Sequence, residues 1–416
     1  MLKLNSTQKI VETIESDSEL KPYQKKLLID AIGKKLINPD EWFSSYFPAT
    51  MKEVTKGFEY FPMSVKEMIL GHIIDAKIGD RIKSLIPTGK YHDILLSYFE
   101  GDIVSTKNKY GTVAKIITDL WVNSRKDPSI FENSQKFEPI LQDIPNYRDH
   151  FIHSFYVFSV GYYVINKLSE LIGTDFREYL GSNAPNLTWM LASTFHDVAY
   201  PIERIDSWLG TLIGGFIGIS PKNYFNFENI IPNIYYDFMK MICRWHKNPM
   251  HGLSSGNEIG SIDWPLYNEL NSKLLEKNHG VLSGLILAHQ LAARERFAEY
   301  GDAWDFFNMH LPACHAICLH ALDVKIDFSK HPFAFLLVLF DELQDWGRPS
   351  KMEEKEKLFL QDLEVVNVDV PEIRITVAVS EERKEELVRV LKSRLETSKK
   401  VRIVVNEFGN GNILSI

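Results

Sequence analysis

Apolar residues recur at helical spacing along most of this chain. Stretches 64–85 (SVKEMILGHIIDAKIGDRIKSL), 91–99 and 111–122 place apolar side chains three and four apart with charges between, which predicts amphipathic helices. Pro39, Pro48, Pro62, Pro87 and Gly89 divide them. The same spacing predicts helices over 151–171, 187–200, 235–245, 274–300, 314–322 and 333–345. Pro201 is expected to stop one of these helices, and Gly347 with Pro349 another. Between Gly210 and Asp263 lies a stretch rich in Gly, Asn, Pro and aromatics, the kind of irregular insertion that serves as a lid, substrate loop or interface. After residue 350 the pattern changes. A charged helix start, KMEEKEKLFLQDLE (351–364), leads into the period-two runs 372–379 and 401–405, which read as strands. Between the two strands, Ser380 is a good N-cap for a helix with acids in its first turn and bases later. The fold class expected is mainly α, in three parts: a helical N-terminal region (1–145), a helical central domain (146–349) and a small α+β C-terminal appendage (350–416).

Composition narrows the function classes. The chain has 416 residues, 45 % of them hydrophobic and 25 % charged, an ordinary globular balance that excludes long disorder and collagen-like repeats. A formal net charge of −8 argues against nucleic acid or an anionic membrane as a general partner. Three cysteines (Cys243, Cys314, Cys318) exclude a disulfide scaffold and fit a reducing compartment. The apolar runs 208–219 and 333–340 fall short of the ~20 residues of a spanning helix. The first residues carry no apolar signal core, so a cytoplasmic location is expected.

Histidine is the exception to this ordinary balance. Of 13 histidines, 11 fall between His150 and His331. Six of them belong to ordered segments that put metal-binding side chains on predicted helices: Arg148-Asp149-His150-Phe151-Ile152-His153, then His196-Asp197, His279-Gly280, Cys314-His315 through His320, and Asp341 through Arg348. Divalent cations accept imidazole nitrogen and carboxylate oxygen together. A carboxylate next to a His ligand can bridge two ions, and a pair of ions about 3.5–4 Å apart clamps a phosphoryl group and activates water. Asp341 follows the apolar run FAFLLVLF, where an unpaired carboxylate would be costly to bury.

The order His153, His196-Asp197, His279, His320, Asp341 resembles the HD superfamily of metal-dependent phosphohydrolases, over about residues 146–349. The resemblance implies an HD-type helical domain with two divalent ions (Mn, Fe, Mg or Zn), held by His153, His196, Asp197, His279, His320 and Asp341. Asp197 would bridge the two ions. The chain departs from better-known branches in three places. Tyr200-Pro201 stands where other members carry a His or Lys after the doublet, so Tyr200 or Arg204 would take over that contact. There is no GYP tripeptide. Asp149 stands four residues before His153, where phosphodiesterases carry a general-acid His, so Asp149 or the adjacent His150 would be a proton donor or an outer metal contact.

Arg148, Arg204 and Arg348 flank ligand segments and suit bidentate phosphate contact, against ordinary salt bridges. Asp345, one turn after Asp341, could orient a ligand or a substrate hydroxyl. His315 lies five residues before His320, off its helical face, and stays open between ligand and core residue. Cys314 and Cys318, at i and i+4, allow a Cys/His zinc site or two small apolar core residues. His246, His251, His289, His310 and His331 match no motif and read as structural or surface. The aromatics Trp208, Tyr224, Phe225, Phe227, Tyr235 and Tyr236 could stack a base or fill a core. The function expected is hydrolysis of a phosphoester or phosphoanhydride of a nucleotide, such as a deoxynucleoside triphosphate. The alternatives are a cyclic or oligonucleotide phosphodiesterase and a non-catalytic nucleotide-sensing or scaffold protein. The partner expected is a nucleotide substrate, with no membrane and with a homo-oligomer allowed.

Overall fold

A computed structural model describes residues 11–33, 91–94, 109–131, 150–207, 233–249, 261–295, 303–344 and 358–416, apart from a few positions inside these stretches. It is mainly helical, with a small sheet at the C-terminal end. The helices are α1 (Pro22–Gly33), α2 (Lys109–Asn123), α3 (His150–Ile172), α4 (Phe176–Leu180), α5 (Pro185–Phe195), α6 (Ile234–Lys247), α7 (Trp264–Leu275), α8 (His279–Glu295), α9 (Ala303–His320), α10 (Pro332–Leu343) and α11 (Glu381–Arg394). Among the described residues no helix is long and apolar enough to cross a membrane.

Helices buried on every side over long runs lie at the centre. In α3 all residues from His150 to Ile165 are buried, and in α10 all from Pro332 to Phe340. Helices α2, α5 and α10 pack on α3, and α9 packs on α5, α8 and α10. Close approach of α3 and α5 depends on Gly161, where a Cβ would lie 2.0 Å from the indole of Trp189. That indole Nε1–H donates to the Phe158 carbonyl at 2.9 Å. Gly284 does the same for α8 and α9: a Cβ there would sit 2.4 Å from Cys318 Sγ and 2.9 Å from the Cys314 carbonyl oxygen.

Three expectations are corrected. The run 187–200 is not one helix. α5 ends at Phe195, residues 196–199 form turns, and a new helix covers 200–207. Pro201 therefore opens a helix rather than stopping one, because a first-turn residue needs no intrahelical N–H partner. The run 274–300 is broken by a turn at 276–278, where Lys277 takes φ 59° and Asn278 Oδ1 caps Val281 N–H at 3.1 Å. Apolar spacing passes through this break and conceals it. Residues 359–364 belong to strand β2 (Phe359–Asn367), not to a charged helix. A bulge between Leu360 and Asp362 puts the buried residues Leu360 and Leu363 three apart, which mimics helical spacing. The helix expected over 64–85, most of that over 91–99, the apolar run 208–219 and residues 345–357 lie outside the described residues.

The C-terminal sheet orders its strands β2-β3-β5-β6, with β3 (Pro371–Ala378), β5 (Arg402–Glu407) and β6 (Gly411–Ser415). β3 and β5 pair in parallel, with Ile373 opposite Ile403. A parallel pair needs a crossover. α11 supplies it and buries Leu387 and Leu391. This unit is fastened to the helical part. β1 (Ile326–Asp327) pairs in parallel with β4 (Leu395–Glu396), and the Tyr179 hydroxyl donates to the Lys400 carbonyl at 2.5 Å.

Candidate metal centre

Four helices and one turn converge on a buried group of imidazoles and carboxylates. α3 brings His153, the turn after α5 brings His196 and Asp197, α8 opens with His279, α9 closes with His320, and α10 carries Asp341. The turn is held in place by α8, since Ser283 Oγ accepts from Ala199 N–H at 2.9 Å. Gly280 lets α8 meet the end of α9, where a Cβ would lie 2.8 Å from His320 Cε1.

Each imidazole is oriented by an oxygen behind it. The Nδ1–H of His196 donates to the Ser193 carbonyl at 2.8 Å, and that of His320 to the Ile317 carbonyl at 2.6 Å. His279 Nδ1 donates to Glu203 Oε2 at 2.6 Å, and His153 Nδ1 to Gln344 Oε1. A carbonyl or carboxylate oxygen can only accept, so Nδ1 carries the proton and the Nε2 lone pair faces the cluster. Outer oxygens of this kind are the usual means of orienting metal-ligating histidines.

The inward atoms fall into two sets around Asp197. Its Oδ2 lies 3.6 Å from His196 Nε2 and 3.8 Å from His153 Nε2. Its Oδ1 lies 3.5 Å from His279 Nε2 and 3.7 Å from His320 Nε2. Asp341 Oδ1 closes the first set, 2.8 Å from His153 Nε2 and 3.7 Å from His196 Nε2. His153 and His196 bring two nitrogen lone pairs within 3.1 Å of each other. Lone pairs at that distance repel unless a cation or proton lies between them. His320 Nε2 is buried without a hydrogen-bond partner. The donor set therefore fits a divalent cation, with neutral imidazole and carboxylate at each set.

The electrostatics keep both carboxylates of the cluster charged. Burial pushes the Asp197 carboxyl up, but His196, His320, His279 and His153 outweigh it and hold the group well below the usual carboxylate value. Asp341 is likewise held down against burial by His153 and His196. Burial lowers His279, yet Glu203 and Asp197 raise it above its ordinary value.

A small cavity, with room for about one water molecule, reaches the centre at Asp197. His150 and Ser154 line it, and Ile117, Phe131 and Phe151 make an apolar wall. The Tyr200 ring sits beside His150 (centroids 4.3 Å) and His279 (5.4 Å). Arg204 lies over the Tyr200 ring at 4.6 Å, with a buried Nε that has no hydrogen-bond partner.

The structure thus brings together all six residues expected to hold metal, and places His150, Tyr200 and Arg204 beside them. Arg148, Asp149, Asp345 and Arg348 lie outside the described residues, as do Trp208, Tyr224, Phe225 and Phe227. Tyr235 is buried against His289. Cys314 and Cys318 are buried, and among the described residues no candidate metal group includes a cysteine. Burial pushes the Cys314 thiol up to about 12, away from the thiolate that a metal needs. Sequence reading missed Glu203 and Gln344. Gln344 fills the orienting role considered for Asp345, and its one signal is its place three residues after Asp341. Comparison of the chain with the known protein families, the curated proteins and the solved structures finds no match.

Proposed function

We propose that this chain is a metal-dependent phosphohydrolase of the HD type, acting on a phosphoester or phosphoanhydride bond of a nucleotide. The observation that carries the reading is the position of Asp197, with one oxygen turned to His153 and His196 and the other to His279 and His320. On this reading His153, His196, Asp341 and Asp197 hold one divalent ion, and His279, His320 and Asp197 hold a second. Mn, Fe, Mg and Zn all tolerate such a donor set. Two bound ions supply charge neutralisation at phosphorus and a nucleophilic water at neutral pH.

The chain's own residues orient and shield the reaction. Glu203 and Gln344 fix the His279 and His153 rings by their Nδ1 protons. His150, in the wall of the cavity that reaches Asp197, is placed to give a proton to the leaving oxygen. Arg204, stacked on Tyr200, would offset phosphate charge on this reading, in place of the His or Lys that better-known HD branches carry after the doublet. Ile117, Phe131 and Phe151 form an apolar wall behind Asp197 that would lower the local dielectric at the reacting bond.

The test is product release from a panel of nucleoside triphosphates and cyclic nucleotides under several divalent ions, on wild type and Asp197→Ala. Hydrolysis of at least one compound is expected, with a loss of about 10³-fold or more in the variant, as removal of several kcal/mol of transition-state stabilisation requires. No hydrolysis under any ion, or equal rates in both proteins, overturns the reading. Triphosphate, phosphate or a linearised cyclic nucleotide as product identifies the bond broken.

A further inference from the structure

We propose a second metal site, apart from the Asp197 centre, in which His246, His315 and His331 hold one zinc-like transition-metal ion. The three ligand nitrogens come from three elements: the last turn of α6, the body of α9 and the residue preceding α10. One ligand nitrogen from each lies within 4.8 Å of the other two. His246 Nδ1 and His315 Nε2 are 3.0 Å apart. The His331 ring stacks on His246 with centroids 4.3 Å apart and lies 4.7 Å from His315. In a tetrahedral zinc site with bonds of about 2.0–2.1 Å, neighbouring nitrogens stand about 3.3 Å apart. Reaching that geometry closes the widest pair by about 1.5 Å at most and turns the His331 ring out of its 14° stack on His246, so that both in-plane lone pairs meet the ion.

Without a metal the 3.0 Å contact of His246 with His315 is a hydrogen bond, in which one nitrogen carries the proton that an ion would displace. His315 and His331 are 2 % and 6 % exposed. His331 occupies the N-cap position of α10, where Ser, Thr, Asp or Asn is preferred, yet it makes no capping hydrogen bond. Its Nδ1 is buried with no partner at all. A buried imidazole nitrogen left unpaired is costly, and a metal ion satisfies it. Burial also keeps the three rings neutral, with His331 pushed down to about 3, so each can offer a lone pair.

The donor chemistry selects the ion. Three imidazoles without a ligating carboxylate suit zinc, copper, nickel or cobalt(II) rather than magnesium or calcium, which require oxygen ligands. Asp263 is close enough to favour positive charge at His246, and the exposed Lys330 opposes it from the solvent side. A site with three protein ligands leaves a fourth position for water. The site also ties together the helices of the first centre. α9 carries both His315 and His320, about 7.5 Å apart along its axis, and His331 precedes Asp341 on α10 by about 15 Å. A metal here would brace the two helices that present His320 and Asp341.

Zinc stoichiometry after chelator stripping and reloading tests the proposal without any activity assay. The proteins are wild type, Asp197→Ala, His246→Gln and the Asp197→Ala/His246→Gln double variant. His246 is half-buried at a helix end, so its substitution leaves the core intact. One equivalent fewer is expected in His246→Gln than in wild type, and one fewer in the double variant than in Asp197→Ala. Wild type loaded with cobalt(II) should show an intense four-coordinate visible band that His246→Gln lacks. Equal zinc content with and without His246, or cobalt spectra that do not differ, overturns the proposal. A positive result stands even if no nucleotide is hydrolysed.

Discussion

Asp197 meets four imidazoles with two oxygens, and the oxygens behind those imidazoles decide where each lone pair points. Removing such an orienting group typically costs 10–100-fold in metal affinity. Glu203→Gln and Gln344→Leu are therefore each expected to weaken binding by about 10–100-fold while the fold survives, as measured by titration with a metal-sensitive dye. The carboxylates also set a pH dependence. Asp197 and Asp341 are held below the ordinary 3.8 in the folded chain. Their contribution to stability is then complete above that value and is lost as pH falls through and below it. The midpoint of thermal unfolding of the chelator-stripped protein should drop as pH is lowered past about 4, and the drop should be smaller in Asp197→Ala. The six inward residues were legible because their types and order carry the chemistry. Their partners were not: Glu203 is 76 residues from His279, and Gln344 is 191 from His153. The His246, His315 and His331 group escaped for the same reason, since no local spacing links a helix end, a helix body and an N-cap.

At the scale of elements, apolar periodicity located α3, α6 and α10 to within a few residues. It failed where something other than burial sets the chain's course. The turn at 196–199 contains the His196-Asp197 doublet, the turn at 276–278 rests on Asn278 capping, and the bulge in β2 shifts period two to an apparent helical spacing. Close helix contact is a further property that a pattern of apolar residues does not reveal. α8 and α9 approach through Gly284, where an added Cβ would meet Cys318 Sγ and the Cys314 carbonyl. Gly284→Ala must push the helices apart, and overpacking of this kind costs about 1–3 kcal/mol. Urea denaturation should show that loss, together with weaker metal retention, because His279 and His320 sit on the two helices being separated.

Across the whole molecule, Arg394 is one of the links between the C-terminal unit and the helices of the candidate centre, beside the β1–β4 pair, the Tyr179–Lys400 hydrogen bond and Arg383 on the Glu342 carbonyl. Arg394 donates to the carbonyls of Leu319 (3.4 Å) and His320, and lies 3.4 Å from Glu342 Oε1, so it satisfies the end of α9 beside one ligand and the neighbour of another. Its side chain is 12 % exposed. Hydrogen bonds from a charged group of this kind contribute about 1.5–3 kcal/mol. Arg394→Met is expected to lower stability by about that amount and to speed metal loss to a chelator. The small α+β unit was legible from its period-two runs, but its attachment to the helical part was not, because it depends on contacts between residues far apart in sequence, such as Arg394 with Leu319 and Tyr179 with Lys400. The central claim, that Asp197 joins two ions in one centre, is tested most directly by electron paramagnetic resonance of the manganese(II)-loaded His246→Gln protein, in which the separate three-histidine group is disabled. Two manganese ions per chain with a spin-coupled spectrum, replaced by the spectrum of isolated ions when Asp197→Ala is added, is the expected result. A single uncoupled ion per chain, or a coupled pair that persists without Asp197, contradicts it.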